Sequence, residues 1–469
     1  MNIKKKLKIT DLEYSLLVPF LVFIVWFIFL GYKIVNQPFI WDDLHIIRVF
    51  SFNELLSSWF GNWEGSGVET PSYRPIAIIF YSFLGAIFKE NFVFLRFFIF
   101  FLNILLISFT LFLLLKFKIK RKVVLILAVL IIFSKIFTTL VSWFTLSALS
   151  FCYLLAVLSM YYFLRWSQER RTKDYLLSLI FAFLSIFTRE EMYMLPLINL
   201  LILTYYQKNY FKNVVKNVSY IFPFLLISLI HIILRKIFVV DAANFEFDLW
   251  YIKFGGQEIG FGNFIKSIKA SFLPMGYWSL SKIYFFQTLS FSVWTTLIFV
   301  CLIILIIKYK LNYFNISLLI LSLFLFCLPN IAIERSFGIY FSSTVSLLLI
   351  SLLITNIQEI NFSSTYNYLA NFFLKIVAVT IIIFGVSGGI NRSNEHLKTM
   401  NHYSPYIIVY DSIFLFQYLP INKVKIPKER LKSKIEFLNN LKIFNLDDAI
   451  NYKKKKLKNG VYKFKPLSF

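Results

Sequence analysis

Two adjacent carboxylates, Asp42 and Asp43, stand in the stretch FIWDDLHIIR (39–48), between aromatics and beside His45 and Arg48. A solvated loop can carry such a pair. So can a site in which a carboxylate acts as general base towards a lipid-linked substrate, a task that partial burial assists by raising the carboxylate pKa. Further polar residues recur at similar places, each beside an apolar run. SYRPIAII (72–79) holds Tyr73 and Arg74. Arg96 lies a few residues into the next apolar run. FTREEMYMLP (187–196) holds Arg189, Glu190 and Glu191, and AIERSFGIYFSS (332–343) holds Glu334, Arg335 and Tyr340. A charge at the edge of hydrocarbon costs about 3 kcal/mol unless it is paired or near water. Such groups gathered on one face imply a shared polar cavity.

The elements that must position them are transmembrane helices. Of the 469 residues 58% are hydrophobic, with 57 Phe, and the mean hydropathy is +0.71. Apolar runs of helix-spanning length recur from Tyr14 to Ile390, which predicts an all-α polytopic membrane protein. The first run, Tyr14–Val35, lacks a small-residue cleavage site and reads as a span, not a signal peptide. The formal charge of +25 sits in short loops between apolar runs, the footprint of positive-inside topology, and argues against a nucleic-acid partner. Cys152, Cys301 and Cys327 all fall inside apolar runs, as core or lipid-facing residues do, and four His without a His/Cys cluster give no zinc site.

Basic clusters at Lys4–Lys8, Lys116–Lys122, Arg165–Lys173, Lys208–Lys216 and Lys308–Lys310 set the parity. With all of them cytoplasmic, an even number of crossings separates each from the next. Between the first two lie three apolar runs, and the shortest, Pro75–Phe88, would be about 21 Å long as a helix against a hydrocarbon core of about 30 Å. It is therefore expected at the outer interface, within a long first extracytoplasmic loop (36–91) that also carries the amphipathic SFNELLSSWF (51–60). Pairs then follow: Val123–Leu140 with Leu146–Leu164, Asp174–Phe187 with Met192–Tyr206, Val218–Phe238 with Phe286–Ile307, and Leu311–Leu328 with Tyr340–Ile357. Phe372–Ile390 leaves again. About eleven spans result, with the N-terminus inside. Residues 1–390 form the membrane module. The tail, 391–469, carries 16 Lys and Arg against 6 Asp and Glu, and is expected outside, or inside if Phe372–Ile390 does not cross. On this topology the chemistry-bearing residues share the outer face.

Each has a plainer reading. Arg189 and Glu190 can pair with each other, Arg96 can snorkel towards headgroups, and His231, in mid-span, reads as a hydrogen-bonded core residue.

The order of these motifs resembles the GT-C superfamily of polytopic glycosyltransferases, nearest to the protein O-mannosyltransferase and TMTC-like branches and their bacterial relatives. The likeness spans roughly residues 10–355. WDDLHI matches the family's outer-loop acidic pair at Asp42 and Asp43. FLSIFTREEMYMLPLINLL is similar to its LSKE…LPL segment, with Arg189 where Lys is usual and Glu190 at the acidic position. IERSFGIYFSS resembles ERYLYLPS at Glu334, Arg335 and Tyr340, without the proline.

The resemblance implies transfer of a sugar from a polyprenyl-phosphate-linked donor to an acceptor hydroxyl at the extracytoplasmic face of a bacterial cytoplasmic membrane. The acceptor would be a glycan, a glycolipid or a protein. Asp42, then Asp43, would serve as catalytic base. Arg74, Arg189 and Arg335, with Arg96 in reserve, would grip the donor phosphate, because a planar guanidinium offers paired donors. Tyr73, Glu190, Glu334, Tyr340 and His45 would support the site. No cofactor or resident metal is expected, although paired aspartates can hold a divalent cation. The alternatives are a polymerase or ligase acting on lipid-linked oligosaccharide, which would not need the acidic pair, and a transporter or flippase. A transporter calls for midplane charges and repeated broken helices, and the sequence shows neither.

Overall fold

In a computed structural model of the chain, the residues described are 10–35, 47, 49–61, 73–88, 91–206 and 214–238, three short strands within 246–260, and single positions between 321 and 397. Among them helices dominate.

Helix α1 (Asp11–Trp26) opens with a capping box in which Thr10 and Glu13 satisfy each other's backbone N–H groups. It runs through a π-helical turn, Phe27–Gly31, into α2 (Tyr32–Val35). Gly31 is needed at that turn: a Cβ there would sit 2.8 Å from Cζ3 of the fully buried Trp26. The short α3 (Phe52–Ser57) starts at a second capping box, Ser51 with Glu54. It leaves Phe52 and Leu56 exposed, as an interfacial helix would. Helix α4 (Pro75–Phe88) has the predicted bounds, with proline at its first position, where a missing N–H costs nothing.

Helix α5 (Phe92–Lys116), capped by Asn91, is followed by α6 (Arg121–Ile132) and α7 (Lys135–Ser142). The sequence reading made one continuous span, Val123–Leu140, of the last two. Instead the chain bends by 55° between them, because Ser134 turns its hydroxyl back to accept from the Phe137 N–H and restarts the helix as an N-cap. A 3₁₀ turn, Phe144–Leu146, leads into α8 (Ser147–Glu169). Arg170 closes α8 in the left-handed region and the chain reverses into α9 (Thr172–Thr188). The 3₁₀ turn Glu190–Met194, α10 (Leu195–Tyr206) and α11 (Val214–Phe238) follow. A small antiparallel meander then pairs β1 (Glu246–Phe247) with β2 (Tyr251–Phe254) and β2 with β3 (Gln257–Gly260).

Helices α8 and α9 lie close along a stripe of small residues. Ser159 and Ser178 each donate to the other's carbonyl, at 2.9 and 2.8 Å, and Ser185 donates to Cys152 O at 2.9 Å. Small residues let backbones approach, and the hydroxyls bond where water is absent. Asn103 of α5 accepts from Ser150 of α8 at 2.9 Å. The most buried spans are Val93–Lys116 and Phe144–Glu169, 67% and 78% buried. Asp11–Val35 and Val218–Phe238 are 33% and 22% buried and turn Phe20, Leu21, Phe222 and Leu229 outwards. Among the described spans, α5 and α8 are the more enclosed and α1 and α11 the more exposed.

Among the described residues, four helices are long and apolar enough to cross a membrane, or five if the bent pair α6–α7 is one span. Thr172–Thr188 and Leu195–Tyr206 are shorter, and the spans expected after Phe238 lie outside the described residues. The bundle has two distinct ends. At one, Arg121 pairs with Asp11 at 2.9 Å, Tyr205 meets Phe117, and Tyr175 bonds Tyr220 O. This end carries the basic turns 116–122 and 165–173. The site lies at the other.

Candidate functional site

At the far end from the basic turns, the backbone leaves α9 at Thr188 and cannot continue as helix. Arg189 is extended (φ −157°, ψ 142°) and the next five residues form a 3₁₀ turn. That break points successive side chains apart, so Arg189, Glu190 and Glu191 reach different partners. All three are buried, at 5%, 5% and 8% exposure. Arg189 turns to Glu191, with Nε 3.2 Å from both carboxylate oxygens and Nη2 3.1 Å from Oε1. Glu190 accepts from Nε of Arg74 at 2.8 Å. The adjacent Arg189 and Glu190 therefore do not pair with each other; the pairing is crossed, and one half of it reaches the segment before α4.

Arg74 is held in place through its neighbour. Tyr73 is fully buried, and its hydroxyl donates to Trp59 O at 2.8 Å, which ties the residues after α3 to the start of α4. Its carbonyl lies 3.0 Å from His231 Nε2, and His231 Nδ1 lies 2.8 Å from the Tyr193 hydroxyl. The imidazole thus joins α11, the 3₁₀ turn and the Tyr73–Arg74 backbone, flanked edge-on by Tyr73 and Phe187. It is the hydrogen-bonded core residue the sequence suggested, placed one residue from a candidate site arginine.

The charges govern ionisation here. Burial opposes ionisation of Glu190, but the guanidinium groups of Arg74 and Arg235 hold its carboxyl down at about 2. Burial likewise opposes ionisation of Glu191, and Arg189 followed by Arg74 lowers it below the usual carboxylate range. Burial raises the Tyr73 phenol to about 12, so it serves as a donor and not as a base. Both glutamates stay ionised at neutral pH, and neither is placed to take a proton while bonded to arginine. Arg235 is the residue the sequence reading passed over. It stands four residues after His231, hence on the same face of α11, and that spacing was the available signal.

Arg96 has a different environment from either sequence expectation. It is fully buried, so it does not snorkel. Its Nη1 donates to Val141 O at 2.7 Å and Ser142 O at 2.9 Å, and its guanidinium lies 3.6 Å from the centroid of the Phe144 ring. A cation over the last carbonyls of α7 satisfies groups that a helix end leaves without intrahelical partners. Tyr340 is buried and stacks on Tyr153 of α8 at 5.2 Å.

The structure thus brings together Tyr73, Arg74, Arg189 and Glu190, adds Glu191, His231 and Arg235, and sets Arg96 beneath α7. Asp42, Asp43, His45, Arg48, Glu334 and Arg335 lie outside the described residues. Among the described residues, no cluster of three or more His, Cys, Asp or Glu is arranged to hold a metal ion. Cys152 is buried in the α8–α9 seam, while Cys301 and Cys327 lie outside the described residues. No family model, curated protein or solved structure matches the chain.

Proposed function

We propose that the protein is a membrane glycosyltransferase of GT-C type, acting on a polyprenyl-phosphate-linked sugar at the end of the bundle opposite its basic turns. The observation that supports this most is the crossed pairing of Arg74 with Glu190 and Arg189 with Glu191. Buried ion pairs are costly to assemble, and hydrophobic replacements of similar volume often serve stability as well or better. Two of them side by side, one local to the turn after α9 and one reaching 116 residues back to Arg74, suit a site that must hold guanidinium groups in fixed orientation.

In the reaction, an acceptor hydroxyl attacks the anomeric carbon. The bond from that carbon to the phosphate oxygen breaks, and the polyprenyl phosphate leaves with the electron pair. The hydroxyl proton passes to Asp42, with Asp43 beside it. Arg74, Arg189 and Arg335 stabilise the charge gathering on the phosphate. Glu190 and Glu191 act as positioning residues for two of these arginines, and the Tyr73–His231 link fixes the backbone at Arg74.

The test is incubation of the purified full-length protein with a defined polyprenyl-phosphate hexose, with mass spectrometry of the released polyprenyl phosphate. Release that depends on Asp42 supports the proposal. Undiminished release by Asp42→Asn removes Asp42 as base. No turnover and no donor binding across a panel of hexoses overturns the function.

A further inference from the structure

At the opposite end of the bundle lies a cavity of about 220 Å³, walled by α5, α8 and α10 and by Ser322, Phe341, Thr344, Val345 and Leu348. Its depth is formed by buried side chains, among them Leu113, Met160, Ile202 and Leu348. Leu114, Phe117, Ile119, Leu201 and Tyr205 are partly exposed and form its mouth. The wall holds three hydroxyl side chains, Ser322, Thr110 and Thr344. Thr110 donates to Leu106 O and Thr344 to Tyr340 O, each at 2.8 Å, so both hydroxyls have partners within their own helices. A space lined mostly by apolar side chains takes hydrocarbon more readily than water.

The mouth is not apolar all round. Phe117 and Ile119 alternate with Lys116, Lys118 and Lys120 on the turn between α5 and α6, and these lysines are exposed. Lys118 holds the turn open in the left-handed region, φ 61°. Hydrocarbon depth beside a turn that carries three lysines matches one molecule type in a bilayer, an acyl chain bearing an anionic head. The basic turns are those expected on the cytoplasmic side, where anionic lipids attract lysine and arginine.

We propose that this cavity binds one acyl chain of an anionic glycerophospholipid, whose phosphate rests on the Lys116–Lys120 turn. The site is separate from the candidate catalytic end and does not depend on the activity assigned there. It would anchor α5, α8 and α10 at the cytoplasmic surface.

Native mass spectrometry of the full-length protein, exchanged against phosphatidylglycerol or phosphatidylcholine of matched chains, tests it. The expected result is one retained phosphatidylglycerol, with clear preference over phosphatidylcholine. Met160→Trp, which fills the cavity, should weaken retention about tenfold or more, the loss expected when about two methylenes leave their burial. Should that variant fail to fold, Leu114→Trp closes the mouth from a half-exposed position. The triple variant Lys116→Gln, Lys118→Gln, Lys120→Gln should abolish the preference between headgroups. Equal retention of both lipids by the unaltered protein, or undiminished retention by whichever Trp variant folds, overturns the proposal. Preferential retention of a polyprenyl phosphate at this cavity overturns it as well.

Discussion

Arg74 Nε and Glu190 Oε2 lie 2.8 Å apart, buried, with a sequence separation of 116 residues. This one contact fastens the segment before α4 to the break between α9 and α10. Removing either partner leaves an uncompensated charge away from water. Arg74→Met or Glu190→Gln should each cost about 3–5 kcal/mol, read as a fall in melting temperature in detergent. The charge swap Arg74→Glu with Glu190→Arg should recover part of that stability. If Arg74 also holds a donor phosphate, the swapped protein stays inactive. Recovery of transfer together with stability would make the pair purely structural.

The same contact sets a dependence on pH. Glu190 is held at about 2 in the folded protein, below an unfolded value of about 4.3. A depressed carboxylate contributes stability that is present above the unfolded value and is lost as pH falls through the folded one. The melting-temperature difference between the unaltered protein and Glu190→Gln should therefore be flat from pH 8 to about pH 5 and shrink below about pH 4. A difference unchanged down to pH 3 would show that Glu190 does not titrate with folding.

Much of the helical order was legible because hydropathy and basic turns speak locally. Proline at the head of PIAIIFYSFLGAIF set the start of α4, and basic turns marked the ends of α5 and α8. The break at Ser134 was hidden, because one serine within an apolar run reads as helix until its hydroxyl is seen capping Phe137. The crossed pairing was not legible either. Nothing local distinguishes an Arg189–Glu190 pair from Arg189–Glu191, and the partner of Glu190 lies in another segment. Arg96 illustrates the same limit: its type and depth were plain, but its partners are carbonyls of α7, which carry no side-chain signal.

The start of the tail bears on topology. Ser393 Oγ lies 2.8 Å from Thr138 Oγ1, and Asn394 Oδ1 accepts from Lys33 Nζ at 3.0 Å. Lys33 and Thr138 belong to the end of the bundle away from the Asp11–Arg121 bridge. With that end outside, as the basic turns imply, a reporter fused after Phe469 is expected to report the extracytoplasmic side, and one fused after Lys122 the cytoplasm. The same signal from both fusions would require the tail to return through the membrane.

His231 offers a test of positioning. It touches the Tyr73 carbonyl and the Tyr193 hydroxyl. His231→Ala should leave both without that partner, at a cost of about 1–3 kcal/mol each. If the imidazole aligns Arg74, His231→Gln, which can offer a donor and an acceptor, should restore donor binding further than it restores melting temperature. Equal recovery of the two would assign His231 to packing alone.

Arg96 separates a structural cation from a substrate-binding one. Its Nη1 serves two carbonyls at the end of α7, and Phe144 covers its guanidinium. A hydrogen bond from a charged donor contributes about 1.5–3 kcal/mol, so Arg96→Met should lower the melting temperature by several degrees. The bend at Ser134 makes α7 depend on this end for its direction, and loss of the cation should loosen Lys135–Ser142 in hydrogen exchange before α6. Donor affinity per folded molecule should hold. Arg74→Lys is the counterpart: an ammonium keeps the charge but not the paired donors, so donor affinity should fall by more than stability predicts. If instead Arg96→Met loses donor binding with its melting temperature intact, Arg96 belongs to the phosphate site and the capping role is secondary.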